Sequence, residues 1–216
     1  MDIEYITIKN LTLNYVGDEN IVNLFKKYFP KGGYAIDVLK KFAELRYYSF
    51  TQNLIWTLPF NEIPLHLNKV TNSTFYLGDV IVNSDVCITE PSFIKGDLIV
   101  KGNLTVCKAG YIVAKEVKAN NISIYDSGGI YGDIRTNHIV ICADKTNNLK
   151  LNISAKDDES SEIKYSLYGV VIANVINNRG GLLDGTYYIN DIIGDREVNG
   201  NIVFKESRKL LFKPVR

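Results

Sequence analysis

The chain has 216 residues, 46% of them hydrophobic, and a formal net charge of +1. It can bury the core of one large domain or two small ones, and its balanced charge gives no field that draws it to nucleic acid or an anionic membrane. No run of about eighteen apolar residues is present, and the start Met1-Asp2-Ile3-Glu4-Tyr5 lacks the basic, apolar pattern of a secretory signal, so a cytoplasmic protein is expected.

Residues 3–15 mix apolar Ile6, Ile8, Leu11 and Leu13 with polar neighbours, slip once at Asn10, and read as one or two short strands. Asp18 is placed as an N-cap for a helix carrying Ile21, Leu24, Phe25 and Tyr28, which Pro30 and the Gly32-Gly33 pair end. A second helix is expected from Ala35 to about Tyr48, with Ile36, Leu39, Phe42 and Ala43 on one face. A third short helix or an extended arm carries Leu54, Ile55 and Trp56 towards Pro59. Residues 1–60 therefore read as a mostly helical unit, placed to cap the segment after Pro59, with its aromatic side chains in the core. Lys41, Arg46, Tyr47 and Tyr48 set basic groups beside rings, but the balanced charge argues against nucleic acid as a partner.

From Val82 a period of six takes over. Val82, Ile88, Ile94, Val100, Val106 and Ile112 fall on it, Lys118 interrupts it, and Ile124, Ile130 and Thr136 resume it. Gly78-Asp79-Val80-Ile81-Val82 recurs as Gly96-Asp97-Leu98-Ile99-Val100 and as Gly132-Asp133-Ile134-Arg135-Thr136. Three six-residue units make a coil of about eighteen residues. The break at Lys118 marks a slip of one residue that makes Val117 and Ala119 the inward pair. The second strand of each coil carries Val86/Ile88, Leu104/Val106, Ile122/Ile124 and Ile139/Ile141, and the third aligns Phe93 with Tyr111 and Ile130.

The expected fold is mainly β, a parallel triangular β-solenoid with a right-handed turn, over residues 61–155. A lone strand of one coil has no backbone partner, whereas stacked coils pair every N–H and C=O with the coils above and below. A further coil is expected near Leu149, Leu151 and Ile153. Residues 156–216 read as a β-rich segment continuing or capping the solenoid, with strand-like runs at 165–176, 182–193 and 201–204, and a basic tail over 205–216.

The stretch GDLIVKGNLTVCKAGYIVAKEVKANNISIYDSGGIYGDIRTNHIVI, within residues 77–153, resembles the bactofilins, the polymer-forming cytoskeletal family, in its Gly-Asp-apolar-X-apolar units and its coil length. The resemblance implies a non-enzymatic scaffold. The helical unit and the longer C-terminal part depart from that family's pattern of bare solenoid ends.

Chemistry is sparse. His66 and His138 lie 72 residues apart, four coils of eighteen, and are expected on one face. His138 is the candidate base if the chain is a hexapeptide-type acyltransferase, but Val80, Val86, Leu98 and Leu104 stand where that motif wants small residues. Asp79, Asp97 and Asp133 recur in one column and are candidates for a polysaccharide-active site, although Gly-Asp is also a favoured corner and Lys115 interrupts the column. Cys87, Cys107 and Cys142, odd in number and scattered, form neither a disulfide framework nor a zinc site, and read as buried or half-buried thiols in a reducing compartment. No metal, cofactor or membrane contact is expected. The function expected is a scaffold that binds a protein partner or self-associates through the solenoid faces or ends, with an enzyme using Asp97, Asp133 or His138 as the alternative.

Overall fold

A computed structural model describes residues 5–14, 19–108, 110–143, 165–195 and 198–205. Among them, residues up to Pro59 and residues from Phe60 on fall into two compact units.

The first unit contains β1 (Tyr5–Ile6), α1 (Ile8–Asn14), α2 (Glu19–Tyr28), β2 (Gly33–Tyr34), α3 (Ala35–Glu44) and α4 (Tyr48–Thr57). β1 and β2 pair antiparallel. Only the first two described residues of the expected N-terminal strands are extended. Thr7 ends the strand: its hydroxyl bonds the Asn10 side chain and accepts the Asn10 N–H at 3.4 Å, the geometry of a helix N-cap, and α1 comes directly after it. The slip at Asn10 is the third position of that helix rather than a fault in a strand. The proposed cap Asp18 lies outside the described residues.

The long second helix divides in two. Arg46 adopts φ 63, its N–H reaches the Ala43 carbonyl at 3.0 Å, and the Tyr47 N–H reaches the Phe42 carbonyl at 2.9 Å. That is a Schellman-type ending with arginine at the position glycine usually takes. α4 therefore starts at Tyr48 and turns Leu54 and Ile55 inward. Phe25, Val38, Leu39, Phe42 and Ile55 are fully buried, as expected of core rings and aliphatics, whereas Tyr28 and Trp56 are exposed.

The second unit is a parallel β-solenoid of about 7 turns, spaced about 17 residues apart. Turn one runs through β3 (Asn61–Leu67), β4 (Thr71–Asn72) and β5 (Phe75–Tyr76). Turn two holds β6 (Gly78–Val82), β7 (Val86–Ile88) and β8 (Pro91–Ile94). Turn three holds β9 (Leu98–Val100), β10 (Leu104–Val106) and the first half of β11 (Tyr111–Lys118). From there one strand serves the end of one turn and the start of the next. β11 leads into β12 (Asn121–Asp126), β13 (Gly129–Arg135) and β14 (His138–Ala143), then into β15 (Tyr165–Ile172), β16 (Val175–Arg179), β17 (Leu182–Ile189), β18 (Asp191–Gly194) and β19 (Val198–Phe204).

One sheet stacks β18-β16-β14-β12-β10-β7-β4, and the other stacks β19-β17-β15-β13-β11-β9-β6-β3 with β5 and β8 beside it. Every pairing inside the solenoid is parallel. The C-terminal runs therefore continue the solenoid. The expected coil near Leu149 lies outside the described residues, as do 155–162 and 206–216.

Inward columns of aliphatic side chains form one core: Val80, Leu98, Val117, Ile134, Val171 and Tyr187 on one face, and Val86, Leu104, Ile122, Ile139, Ile176 and Ile192 on another. The six-residue row is buried throughout its apolar members, and Thr136 joins it by donating its hydroxyl to the Asn120 carbonyl at 3.1 Å. In the third column, Phe93 pairs with Phe75 and Val113, while Tyr111 pairs with Pro91, which corrects the expected alignment of Phe93 with Tyr111 and Ile130. The reason is the corner ahead of it: two residues separate Ile88 from Pro91, whereas four separate Val106 from Tyr111.

The coil is not uniform. The step from Val80 to Leu98 is 18 residues, from Ile122 to Ile139 17, and from Leu183 to Val198 15. The corner that leads back to the first strand tightens along the chain: Ser92 to Leu98, then Ile112 to Val117, then Ile130 to Ile134. β11 is the transition, with its register shifting between Val113 and Glu116. After it the backbone passes the corner at Gly132, Gly169, Gly185 and Gly200, with φ of 141, 135, 130 and 144. These glycines stack, and a Cβ on each would stand 2.0–2.4 Å from the carbonyl oxygen of the residue below. Only glycine meets both conditions.

Candidate functional site

The acidic column is longer than the repeat suggested. Register places Asp79, Asp97, Glu116 and Asp133 on successive turns. Lys115 does not interrupt it, because the register shift in β11 makes Lys115 the extra residue and brings Glu116 into line. Glu116 is the acid that sequence reasoning missed, and its signal was the slip itself.

These carboxylates are engaged with neighbouring turns. Asp79 Oδ1 accepts the Asp97 N–H at 2.8 Å, and Asp133 Oδ1 accepts the Val170 N–H at 3.2 Å. A Cβ at residue 96 would lie 2.1 Å from Asp79 Oδ1, so the glycine of the Gly96-Asp97 pair makes room for the aspartate of the turn below. The same device recurs at the next corner. Asp85 Oδ1 accepts the Asn103 N–H at 2.7 Å, and a Cβ at Gly102 would stand 2.2 Å from it. The repeat is thus a cross-turn latch made of a carboxylate, a missing Cβ and a backbone donor.

Beside the acids runs a short cationic row. Lys118 Nζ bridges Asp97 Oδ2 and Glu116 Oε2, each at 2.7 Å, and Arg135 pairs with Glu116. Partial burial pushes the Glu116 carboxyl upward, but the hydrogen bonds and charges of Lys118 and Arg135 outweigh it and hold it below the ordinary glutamate value. Burial likewise lowers Lys118, and Asp97 and Glu116 more than restore it, leaving the amine above its ordinary value.

The two shifts have opposite consequences for stability. The Glu116 contribution is present above the ordinary glutamate value and is lost as pH falls through the lower folded one; the Lys118 contribution is present below the ordinary lysine value and is lost as pH rises through the higher folded one. Glu116→Gln is therefore expected to cost about 1 kcal/mol at neutral pH. In urea unfolding followed by circular dichroism, that difference should shrink to nothing as pH drops from about 4.3 through the folded value.

His138 closes a polar ladder. Asn121 Nδ2 donates to Asn103 Oδ1 at 2.9 Å, and His138 Nδ1 lies 3.3 Å from Asn121 Oδ1. His138 stands on β14, whereas His66 stands on β3 in the other sheet. The two do not share a face, because the first step of the solenoid, Leu65 to Val80, is 15 residues rather than 18. Cys107 and Cys142 are half-buried as expected, whereas Cys87 is exposed. Cys87 and Cys107 face each other with sulfurs 3.8 Å apart.

Among the described residues no group of three or more His, Cys, Asp or Glu side chains is arranged to hold a metal ion, and no helix is long and apolar enough to cross a membrane. The structure therefore brings Asp97 together with Lys118 and Glu116, and His138 together with Asn121, but does not bring Asp97, Asp133 and His138 to one point. No protein family, curated protein or solved structure matches this chain.

Proposed function

We propose that the chain is a non-enzymatic scaffold that binds a protein partner, or a second copy of itself, through the outer face of its last turns. One observation carries this reading. On the outer face of the sheet that ends in β19, the early turns carry the paired charges of Asp97, Glu116, Lys118 and Arg135, whereas the later turns carry Val170, Ile172, Tyr188 and Val203 in adjoining columns. Val170, Tyr188 and Val203 are each more than a third exposed. Contiguous exposed apolar surface of this kind marks interaction sites. The resemblance to bactofilins belongs to the same reading, as does a cytoplasmic setting, and both support a structural rather than a chemical role. The acids and His138 that an enzyme would use are already spent on cross-turn bonds.

The test compares the full chain with Tyr188→Asp and Val203→Asp by sedimentation velocity, alone and with host extract fractions. Concentration-dependent association, or a specific complex, that both substitutions abolish is the expected result. A chain that stays monomeric and partnerless, and whose biological effect is lost on Asp97→Asn, Asp133→Asn or His138→Ala, would establish the enzyme reading instead.

A further inference from the structure

The outer side of the β7–β10 face carries a pair of thiols that the scaffold role does not use. Along β7, Val86 and Ile88 point into the core and Cys87 points out; along β10, Leu104 and Val106 point in and Thr105 points out, and Cys107 lies on the same side, just past the strand. The register partner of Cys87 is Thr105, so Cys107 sits diagonally, one outward position further along the next turn. Its backbone is fixed there by the Cys107 N–H, which donates to the Ile88 carbonyl at 3.0 Å. The side chains lean together and bring the sulfurs to 3.8 Å.

This arrangement is poorly suited to a direct bond. A disulfide needs sulfurs about 2.05 Å apart, whereas these stand at 3.8 Å. Closing the bond would turn both side chains away from the positions they hold. A bridging atom has no such difficulty. Two metal–thiolate bonds of about 2.3 Å span the observed 3.8 Å with an angle of about 110° at the ion. That angle suits three- or four-coordinate geometry.

We infer that Cys87 and Cys107 form a two-thiolate site for a soft, thiophilic d10 ion, with Cu(I) the best match. Thiolates select soft ions, and hard cations that want oxygen cages find none here. No third His, Cys, Asp or Glu among the described residues completes a tetrahedral zinc set. Cu(I) is satisfied with fewer ligands and leaves its remaining position to a small solute thiol. The exposed Cys87 gives access from solvent. Binding displaces a proton from each thiol. Affinity therefore rises with pH, because protons compete with the ion for the two sulfurs.

The experiment is an anaerobic competition of the reduced full chain against a chromogenic Cu(I) chelator such as bicinchoninate. One Cu(I) per chain is expected, with Cys87→Ser and Cys107→Ser each weakening it by at least about tenfold, Cys142→Ser leaving it unchanged, and retention strengthening from pH 6 to pH 8. Cys87 is exposed and Cys107 half-buried, and a circular dichroism spectrum matching the parent's is the check that each variant is folded. The inference is overturned if the Cys87→Ser and Cys107→Ser chains hold copper as the parent does, or if Cys142→Ser abolishes binding. It is also overturned if oxidised glutathione links Cys87 to Cys107 while the reduced chain surrenders all its copper to the chelator.

Discussion

Gly185→Ala is expected to destabilise the solenoid by about 4 kcal/mol or more, measured as the shift in urea unfolding at neutral pH. Two costs combine at this position. The backbone holds φ 130, which an L side chain rarely adopts, and an added Cβ would stand 2.0 Å from the Gly169 carbonyl oxygen and 2.9 Å from its carbon. The obstacle is backbone of the adjacent turn, which no rotamer change can move aside. Relief requires the turns to separate, and separation breaks the parallel ladder between β15 and β17. Thr186→Ala, one residue on and half-buried with its side chain outward, should stay within about 0.5 kcal/mol of the parent. Gly200→Ala meets the same contact with Gly185, but only on the last described strand. In a stack where each turn touches only its neighbours, that change should fray the end rather than divide the solenoid. A loss at Gly185 no larger than at Thr186 would mean that the glycine column is not a packing requirement.

That glycine column also shows where the sequence was legible and where it was not. Inward positions in β6 to β14 were readable because burial selects Val, Ile and Leu at every second residue, and parallel stacking repeats the choice one turn later. The interruption at Lys118 was readable as a slip, since Val117 and Ala119 are the buried residues on either side of it. Its meaning was not readable. A one-residue insertion and a change of corner leave the same trace in a periodic row, and only the pairing of Ile112 with Ile130 and of Val117 with Ile134 shows that the corner shortens for good from β11 onward. A uniform count of eighteen therefore leaves a gap at Lys115 in the acidic column, and the same count, carried across the 15-residue first step from Leu65 to Val80, puts His66 and His138 on one face. The cross-turn use of Asp79, Asp85 and Asp97 was hidden for a related reason. Gly-Asp and Gly-Asn are common turn pairs, and the sequence does not say that the acceptor belongs to the turn below. In the helical unit, Arg46 ends a helix without the glycine that normally announces such an end, and Thr7 starts one inside an apparently alternating run.

Leu104→Ala probes the other half of the stability, the stacked core. Leu104 is fully buried, and its register partners are Val86 on the turn before and Ile122 on the turn after. Truncation removes the buried methyl groups and leaves a void whose walls are held by the ladders on both sides, so collapse can recover little. A loss of about 3 kcal/mol is expected. Thr105→Ala, in the same strand but pointing outward, should cost far less, because its side chain is only half-buried and its backbone pairing is unchanged. The comparison tests the alternation directly, since the two substitutions differ by one residue and by the face they occupy. It also tests how turns communicate. Damage at Leu104 weakens both of its interfaces, so in a one-dimensional stack the turns from β12 onward should unfold at higher urea than those around β7 and β10. Fluorescence from a reporter placed at Tyr168 would then persist past the loss of a reporter placed at Cys87. Coincident transitions would show instead that the solenoid behaves as one cooperative unit, and that a cavity in the third turn is felt equally in the last.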